Sequence, residues 1–189
     1  MIAQYLNSTR PAKHVLYFAG FLLLVSAIAA AAGVRYNHSE SYPLGFWMVS
    51  GEYQAGSKGQ MVLFCPGSET VFSEAKERGY LSDSFYCDSG IAPLIKKVVA
   101  VPGDQVVINQ NGITINGGFV EGSQPFAKDG SGRDLPLAVT DAALANNQVI
   151  IFSDYHPLSF DSRYFGAVDS RQIKGVVSPV WTWEGSDNE

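Results

Sequence analysis

Ser39-Glu40-Ser41-Tyr42-Pro43-Leu44-Gly45 brings two serines, followed by a proline and a glycine, within eight residues of a long apolar run. A serine is a weak nucleophile towards an amide and needs an adjacent base. The chain contains only three histidines, so the usual base is scarce. Further on, Lys96-Lys97 lies in an apolar stretch that closes on Pro102-Gly103-Asp104. A serine close to a membrane and a lysine in an apolar strand point to Ser-Lys hydrolysis at a bilayer surface.

The lysine must first lose its proton. A free lysine has a pKa of about 10.4 and is almost wholly charged at neutral pH. Burial disfavours the charged form and lowers that value. Leu94, Ile95, Val98 and Val99 offer apolar surroundings of the required kind. Adjacent side chains of a strand point to opposite faces, so one of Lys96 and Lys97 faces the serine, and periodicity does not choose between them. A Ser-His-Asp triad is the competing arrangement. His38 stands three residues before Ser41, and His156 follows Asp154 by two; both read better as surface or supporting residues. The plainer alternatives are a simple Ser-x-Pro-x-Gly turn and a solvated lysine pair on an edge strand.

Positions 15–33 carry no charge, and about 20 apolar residues suffice to cross a hydrocarbon core as a helix. Arg10, Lys13 and His14 precede this run without any acid. After it come all eighteen acids and eleven of the thirteen Lys and Arg residues, a net of −7. The short basic flank is expected to stay in the cytoplasm and the long acidic part to cross. Arg35 weakens this asymmetry without reversing it. A cleavable signal peptide is the alternative, with small residues from Ala27 to Ala32 available to a leader peptidase. The predicted organisation is a cytoplasmic N-terminus (1–14), a transmembrane anchor (15–33), an exported domain (34–183) and a flexible tail (184–189).

Within the exported part the pattern is mostly strand. Met61–Phe64, Leu94–Val101, Gln105–Asn109, Ile113–Asn116, Gln148–Ser153 and Lys174–Trp183 read as strands, the last broken by Pro179. Asn111-Gly112 between β-branched runs is a hairpin signal. Glu69–Arg78 is the one helix predicted in this part, acidic early and basic late as the helix dipole favours. Positions 121–137, rich in Gly, Ser and Asp, read as an exposed loop. Phe46-Trp47-Met48 fits core packing better than contact with lipid or a substrate helix. Cys65 and Cys87, an even count, fit one disulfide in an oxidising compartment; two buried free thiols are the alternative. Two cysteines alone do not make a structural zinc site.

Three segments resemble the signal peptidase I family. Asn37 to Gly45 is similar to its nucleophile segment, Lys96-Lys97-Val98-Val99-Ala100-Val101-Pro102-Gly103-Asp104 to its lysine strand, and Ser159-Phe160-Asp161-Ser162-Arg163 to its third motif. The Pro43 and Gly45 spacing, with Phe64-Cys65-Pro66, Gly79-Tyr80-Leu81 and Trp181-Thr182-Trp183, resembles the family's conjugative-transfer branch, the TraF-type pilin-processing peptidases. The resemblance implies Ser41 as nucleophile, Lys96 as general base, and Ser39 with the Ser41 N–H as oxyanion hole. It also implies Ser159 as the residue orienting the lysine, and Asp161 with Arg163 as a buried ion pair. General signal peptidases carry Gly-Asp-Asn where this chain has Ser153-Asp154-Tyr155, a departure in the supporting network. Pro43 and Gly45 are expected to hold the chain extended and then turn it, with Glu40 outward.

The fold so implied is a mainly β, signal-peptidase-I-like domain with one short helical insertion on an N-terminal transmembrane helix. The implied location is the bacterial inner membrane, single-pass, with the domain in the periplasm. The implied partners are a precursor protein with a signal or pilin sequence, membrane lipid, and components of a conjugation or type IV secretion apparatus. No metal, cofactor or nucleic acid is implied. In some members of the conjugative branch the new end is joined by the chain's own amine into a circle, and hydrolysis and cyclisation both stay open. The reading from another class is a non-catalytic exported β module that binds partners in an envelope complex.

Overall fold

The computed structural model describes residues 9–185 and divides into two units, residues 1–35 and 36–189. In the first, helix α1 (Thr9–Ala31) contains a stretch, Ala12–Ala31, long and apolar enough to cross a membrane. Its large side chains, from Val15 to Ile28, are exposed all round, as in a helix with no protein face to bury. It begins well before the apolar run, because Arg10, Lys13 and His14 are compatible with helix. It ends where Gly33 takes a φ of +93°, a left-handed stop that glycine adopts freely. Residues 1–8 of the expected cytoplasmic segment and 186–189 of the expected tail lie outside the described residues.

The second unit is built on antiparallel strands. They are β1 (Val34–Asn37), β2 (Leu44–Gly51), β3 (Met61–Phe64), β4 (Leu94–Ala100), β5 (Gln105–Asn109), β6 (Gly112–Ile115), β7 (Gly118–Phe119), β8 (Thr140–Ala143), β9 (Gln148–Phe152), β10 (Val168–Asp169) and β11 (Ile173–Trp183). A seven-stranded sheet has the order β1-β2-β11-β3-β4-β9-β10, and a four-stranded sheet the order β7-β6-β5-β8. Helix α2 (Thr70–Glu77) is the expected helix, with Glu69 and Arg78 as its caps. A one-turn helix, α3 (Ser162–Phe165), begins within the third motif. The domain is mainly β, as its β-branched runs required.

Strand alternation distributes the core. Val62 and Phe64 of β3, Leu94 and Val98 of β4 and Val149 and Ile151 of β9 join one cluster with Phe72 of α2. Leu63 and Ile95 point the other way, to Tyr42, Trp47 and Val177. Ile150 and Phe152 face the small sheet through Val106, Ile108 and Ile113. Phe46-Trp47-Met48 lies in β2, so Trp47 is buried while Phe46 is half-exposed, in keeping with period 2. Pro179 does not end β11. By that point β11 pairs with β2 on one side and has left β3 on the other, and the register shifts between Pro179 and Trp181. A proline missing its N–H is tolerated at such an edge.

One strand was not foreseen and one expectation is corrected. Strand β2 carries too little alternation to be read from sequence, since Gly45 interrupts it. Residues 121–137 form a loop without being a purely exposed one: Ser123 is fully buried and Leu135 packs on the core. Cys65 and Cys87 form a disulfide with a Cα–Cα distance of 5.6 Å, closing a loop around α2 over a sequence separation of 22. Replacing both by serine should lower the unfolding free energy by about 3 kcal/mol through the freed unfolded chain. A denaturant titration of the oxidised protein and the double variant measures this, and an unshifted midpoint would contradict it.

Candidate active site

The Ser41 turn connects β1 to β2, and Asn37 fixes it. The Asn37 side-chain amide donates towards the carbonyls of Ser39, Tyr42 and Pro43 at 2.9–3.1 Å, while its oxygen accepts from the Ser39 N–H at 3.1 Å. Asparagine favours such local side-chain bonding in turns. The chain therefore turns at Glu40-Ser41 rather than running extended to Pro43, which corrects the sequence expectation. Glu40 still faces solvent. Gly45 is required for a different reason: at φ +124° a Cβ would come within 2.3 Å of the Trp181 carbonyl on β11. No side chain fits there.

Lys96 comes from the middle of β4 and shares its face with Leu94 and Val98, so the strand drives it into the core cluster. Its side chain is 1% exposed. Nζ lies 2.7 Å from Ser41 Oγ and 2.7 Å from Ser159 Oγ, and these two hydroxyls stand 3.2 Å apart. Desolvation lowers the Lys96 pKa to about 8; the nearby Asp161 charge opposes this and Arg163 adds to it. Of the four apolar neighbours expected around it, Ile95 lies on the opposite face and Val99 packs against the small-sheet cluster. Alternation, which left the two lysines equivalent in sequence, separates them here. Lys97 turns outward and pairs with Asp154 at 2.6 Å.

Ser39 Oγ lies 3.1 Å from Ser41 Oγ and accepts from the Ser41 N–H at 3.4 Å. Asp161 and Arg163 are both fully buried and meet in a fork: Arg163 Nε donates to Asp161 Oδ1 at 2.8 Å and Nη2 to Oδ2 at 3.0 Å. Arg163 also donates to the carbonyls of Ser159 and Pro157 at 2.8 and 3.0 Å, and its guanidinium lies over the Phe152 and Tyr164 rings. Removing one partner of a buried pair typically costs about 3–5 kcal/mol, because the other charge is stranded. Asp161 caps α3 by accepting from the Arg163 N–H, and Ser162 Oγ accepts from Ile151 N–H at 3.0 Å. The third motif is thereby bonded to β9.

Sequence reasoning assigned no site role to several residues that the fold brings here. Ser153 Oγ bonds the Ser41 carbonyl. The Tyr42 hydroxyl donates to Asp154 at 2.7 Å; burial, then that carboxylate, push its phenol above the ordinary value. Asp154 in turn is held below the usual carboxylate range by Lys97 and Tyr42 against the opposing desolvation. Asn37 was visible within the nucleophile segment, and Ser153 and Asp154 within the stretch that departs from Gly-Asp-Asn, but none of them with a role. His38 points to Ser82 Oγ at 3.2 Å, and His156 Nδ1 accepts from the Leu158 N–H at 3.3 Å.

A cavity of about 290 Å³ runs along Ser41, Lys96 and Ser159, with Tyr80, Leu81 and Leu135 among its apolar walls. Its far side belongs to residues 126–135. There Asp129 is clamped by the Tyr80 hydroxyl at 2.5 Å and Arg133 Nε at 2.6 Å. Among the described residues, no group of three or more His, Cys, Asp or Glu is placed to hold a metal ion.

Residues 9–183 match the family described as signal peptidase, peptidase S26, and the chain belongs to that family. Its relatives include two plasmid transfer proteins TraF from Escherichia coli. One is 39% identical over 92% of this chain and 97% of the relative, the other 40% identical over 85% and 89%. A conjugal transfer protein TraF from Agrobacterium tumefaciens (strain 15955) is 36% identical over 92% and 98%. The crystal structure of a signal peptidase I from Enterococcus faecalis V583 shares 17% identity, with a TM-score of 0.38 over 66% of this chain and 98% of that one.

A lysine whose pKa falls on folding destabilises the folded state wherever the unfolded chain would hold the proton. This penalty is full below about pH 8 and fades as pH rises towards 10.5, where both states are neutral. Lys96→Met should therefore raise the unfolding free energy at pH 7 by about 3 kcal/mol. The gain should disappear above about pH 10.5. Urea titrations across that range check it, and destabilisation at pH 7 would contradict it.

Proposed function

We propose that this chain is a membrane-anchored serine endopeptidase of the signal peptidase type, acting through Ser41 and Lys96. The observation that carries the reading is the 2.7 Å contact between Ser41 Oγ and the buried Lys96 Nζ. A lysine with a pKa of about 8 is neutral in an appreciable fraction of molecules near neutral pH. It then accepts the Ser41 proton as Oγ attacks the substrate carbonyl. The tetrahedral oxygen receives the Ser41 N–H and the Ser39 hydroxyl, which already lie together. Removing one such donor typically costs a factor of about 10²–10³ in rate.

Collapse of this intermediate breaks the C–N bond. Lys96 returns its proton to the leaving amine, and an acyl group remains on Ser41. Water resolves the acyl-enzyme with Lys96 again as base; a second amine would instead form a new peptide bond. Ser159 orients Lys96, and the Asp161–Arg163 pair holds the wall behind it. The substrate enters extended, as an added strand beside the cavity.

The proposed substrate is a membrane-inserted precursor, a conjugative pilin in keeping with the relatives' plasmid and conjugal transfer names. Apparatus components of conjugation or type IV secretion are the further partners. The proposed arrangement has α1 spanning the bacterial inner membrane, the N-terminus in the cytoplasm and the domain in the periplasm. The basic residues before the apolar run support that orientation, as does a disulfide suited to an oxidising compartment.

Ser41→Ala and Lys96→Ala should each reduce precursor processing in cells by on the order of 10⁴-fold or more, with the protein at normal levels. Unchanged processing in both would favour the non-catalytic binding module. Product masses then separate the two outcomes, because a circular product is lighter than the linear peptide by one water.

A further inference from the structure

We infer that Ser153 is a positioning residue for Ser41, fixing the nucleophile's backbone and so aiming its N–H at the developing oxyanion. The inference rests on the reading of Ser41 as nucleophile. Ser153 follows the last residue of β9 and is 2% exposed. Its Oγ donates to the Ser41 carbonyl at 2.5 Å. The direction of that bond is settled by its other partners. The backbone N–H groups of His156 and Tyr155 reach the same oxygen at 3.3 and 3.4 Å and can only donate. The hydroxyl proton is left for the carbonyl, which can only accept.

The Ser153 N–H in turn donates to Asp161 Oδ2 at 3.2 Å. One buried ion pair thus reaches both halves of the dyad. Asp161 reaches the Ser41 carbonyl through Ser153, and Arg163 reaches Lys96 through the Ser159 segment. With its carbonyl held by Ser153 and its Oγ by Lys96 and Ser159, Ser41 is constrained at both its main chain and its side chain. A free carbonyl would release the backbone at the Ser41 Cα, and the Ser41 N–H and Oγ that this Cα carries would shift off the oxyanion and the substrate carbonyl. Misplacement by about 1 Å can cost a factor of about 10² in rate.

Full-length wild type, Ser153→Ala, Ser153→Thr and Ser41→Ala, purified in detergent, would be assayed on a precursor peptide with an A-x-A-type cleavage site. The inference predicts that Ser153→Ala lowers kcat about 10- to 100-fold per folded molecule. KM should stay within about threefold, and the pH midpoint of kcat should stay where the wild type has it. Ser153→Thr, which keeps the hydroxyl, should recover most of the rate. Thermal unfolding gives the folded fraction in each case. Wild-type kcat per folded Ser153→Ala molecule would overturn the inference. So would a displaced pH midpoint, which would mean that Ser153 acts on Lys96. An inactive wild type, or cleavage by Ser41→Ala, would overturn the peptidase reading and the inference with it.

Discussion

Desolvation of one lysine governs this structure. Lys96 occupies a core position on β4, between Leu94 and Val98 on the same face, with 1% of its surface left to solvent. An ammonium there loses its hydration and recovers only hydroxyl contacts and the field of an ion pair whose two charges oppose each other. The result is a side chain that gives up its proton near neutrality. The geometry around it follows from that requirement. Two hydroxyls are within reach of Nζ, and the neighbouring lysine is turned to solvent.

Burial of this kind needs rigid surroundings, and the third motif provides them. Arg163 is fully buried, yet its guanidinium is matched by a carboxylate fork, by backbone carbonyls and by aromatic faces. Such matching is what makes a buried charge tolerable. Because α3 is capped by Asp161 and bonded to β9 through Ser162, the pair cannot shift without disturbing the sheet that carries Lys96. The geometry around Lys96 and the stability of the fold therefore share the same bonds.

Much of this was legible in the sequence, and the rest was not for identifiable reasons. Met61–Phe64, a short apolar run, and Gln105–Asn109, a β-branched one, were found to the residue because clear breakers bound them. The segments holding Ser41, Lys96 and Ser159 were visible as motifs; periodicity left Lys96 and Lys97 equivalent and the family resemblance pointed to Lys96, the residue that β4 turns inward. Strand β2 was hidden by Gly45, whose need comes from the close passage of β11. Ser153 was visible as a departure from Gly-Asp-Asn, but its role was not: its partner lies 112 residues earlier, and nothing local marks a hydroxyl as a donor to a distant carbonyl. Asp129 looked like loop polarity because Tyr80, which makes it structural, belongs to a distant segment.

The central claim is that Lys96 is the deprotonatable lysine of this chain, and its titration tests that directly. With ¹³C-labelled lysine, the full-length protein in detergent should show one side-chain resonance titrating near pH 8. That resonance should be absent from Lys96→Met. A Lys96 resonance that titrates above pH 10, as a free lysine does, would contradict the account.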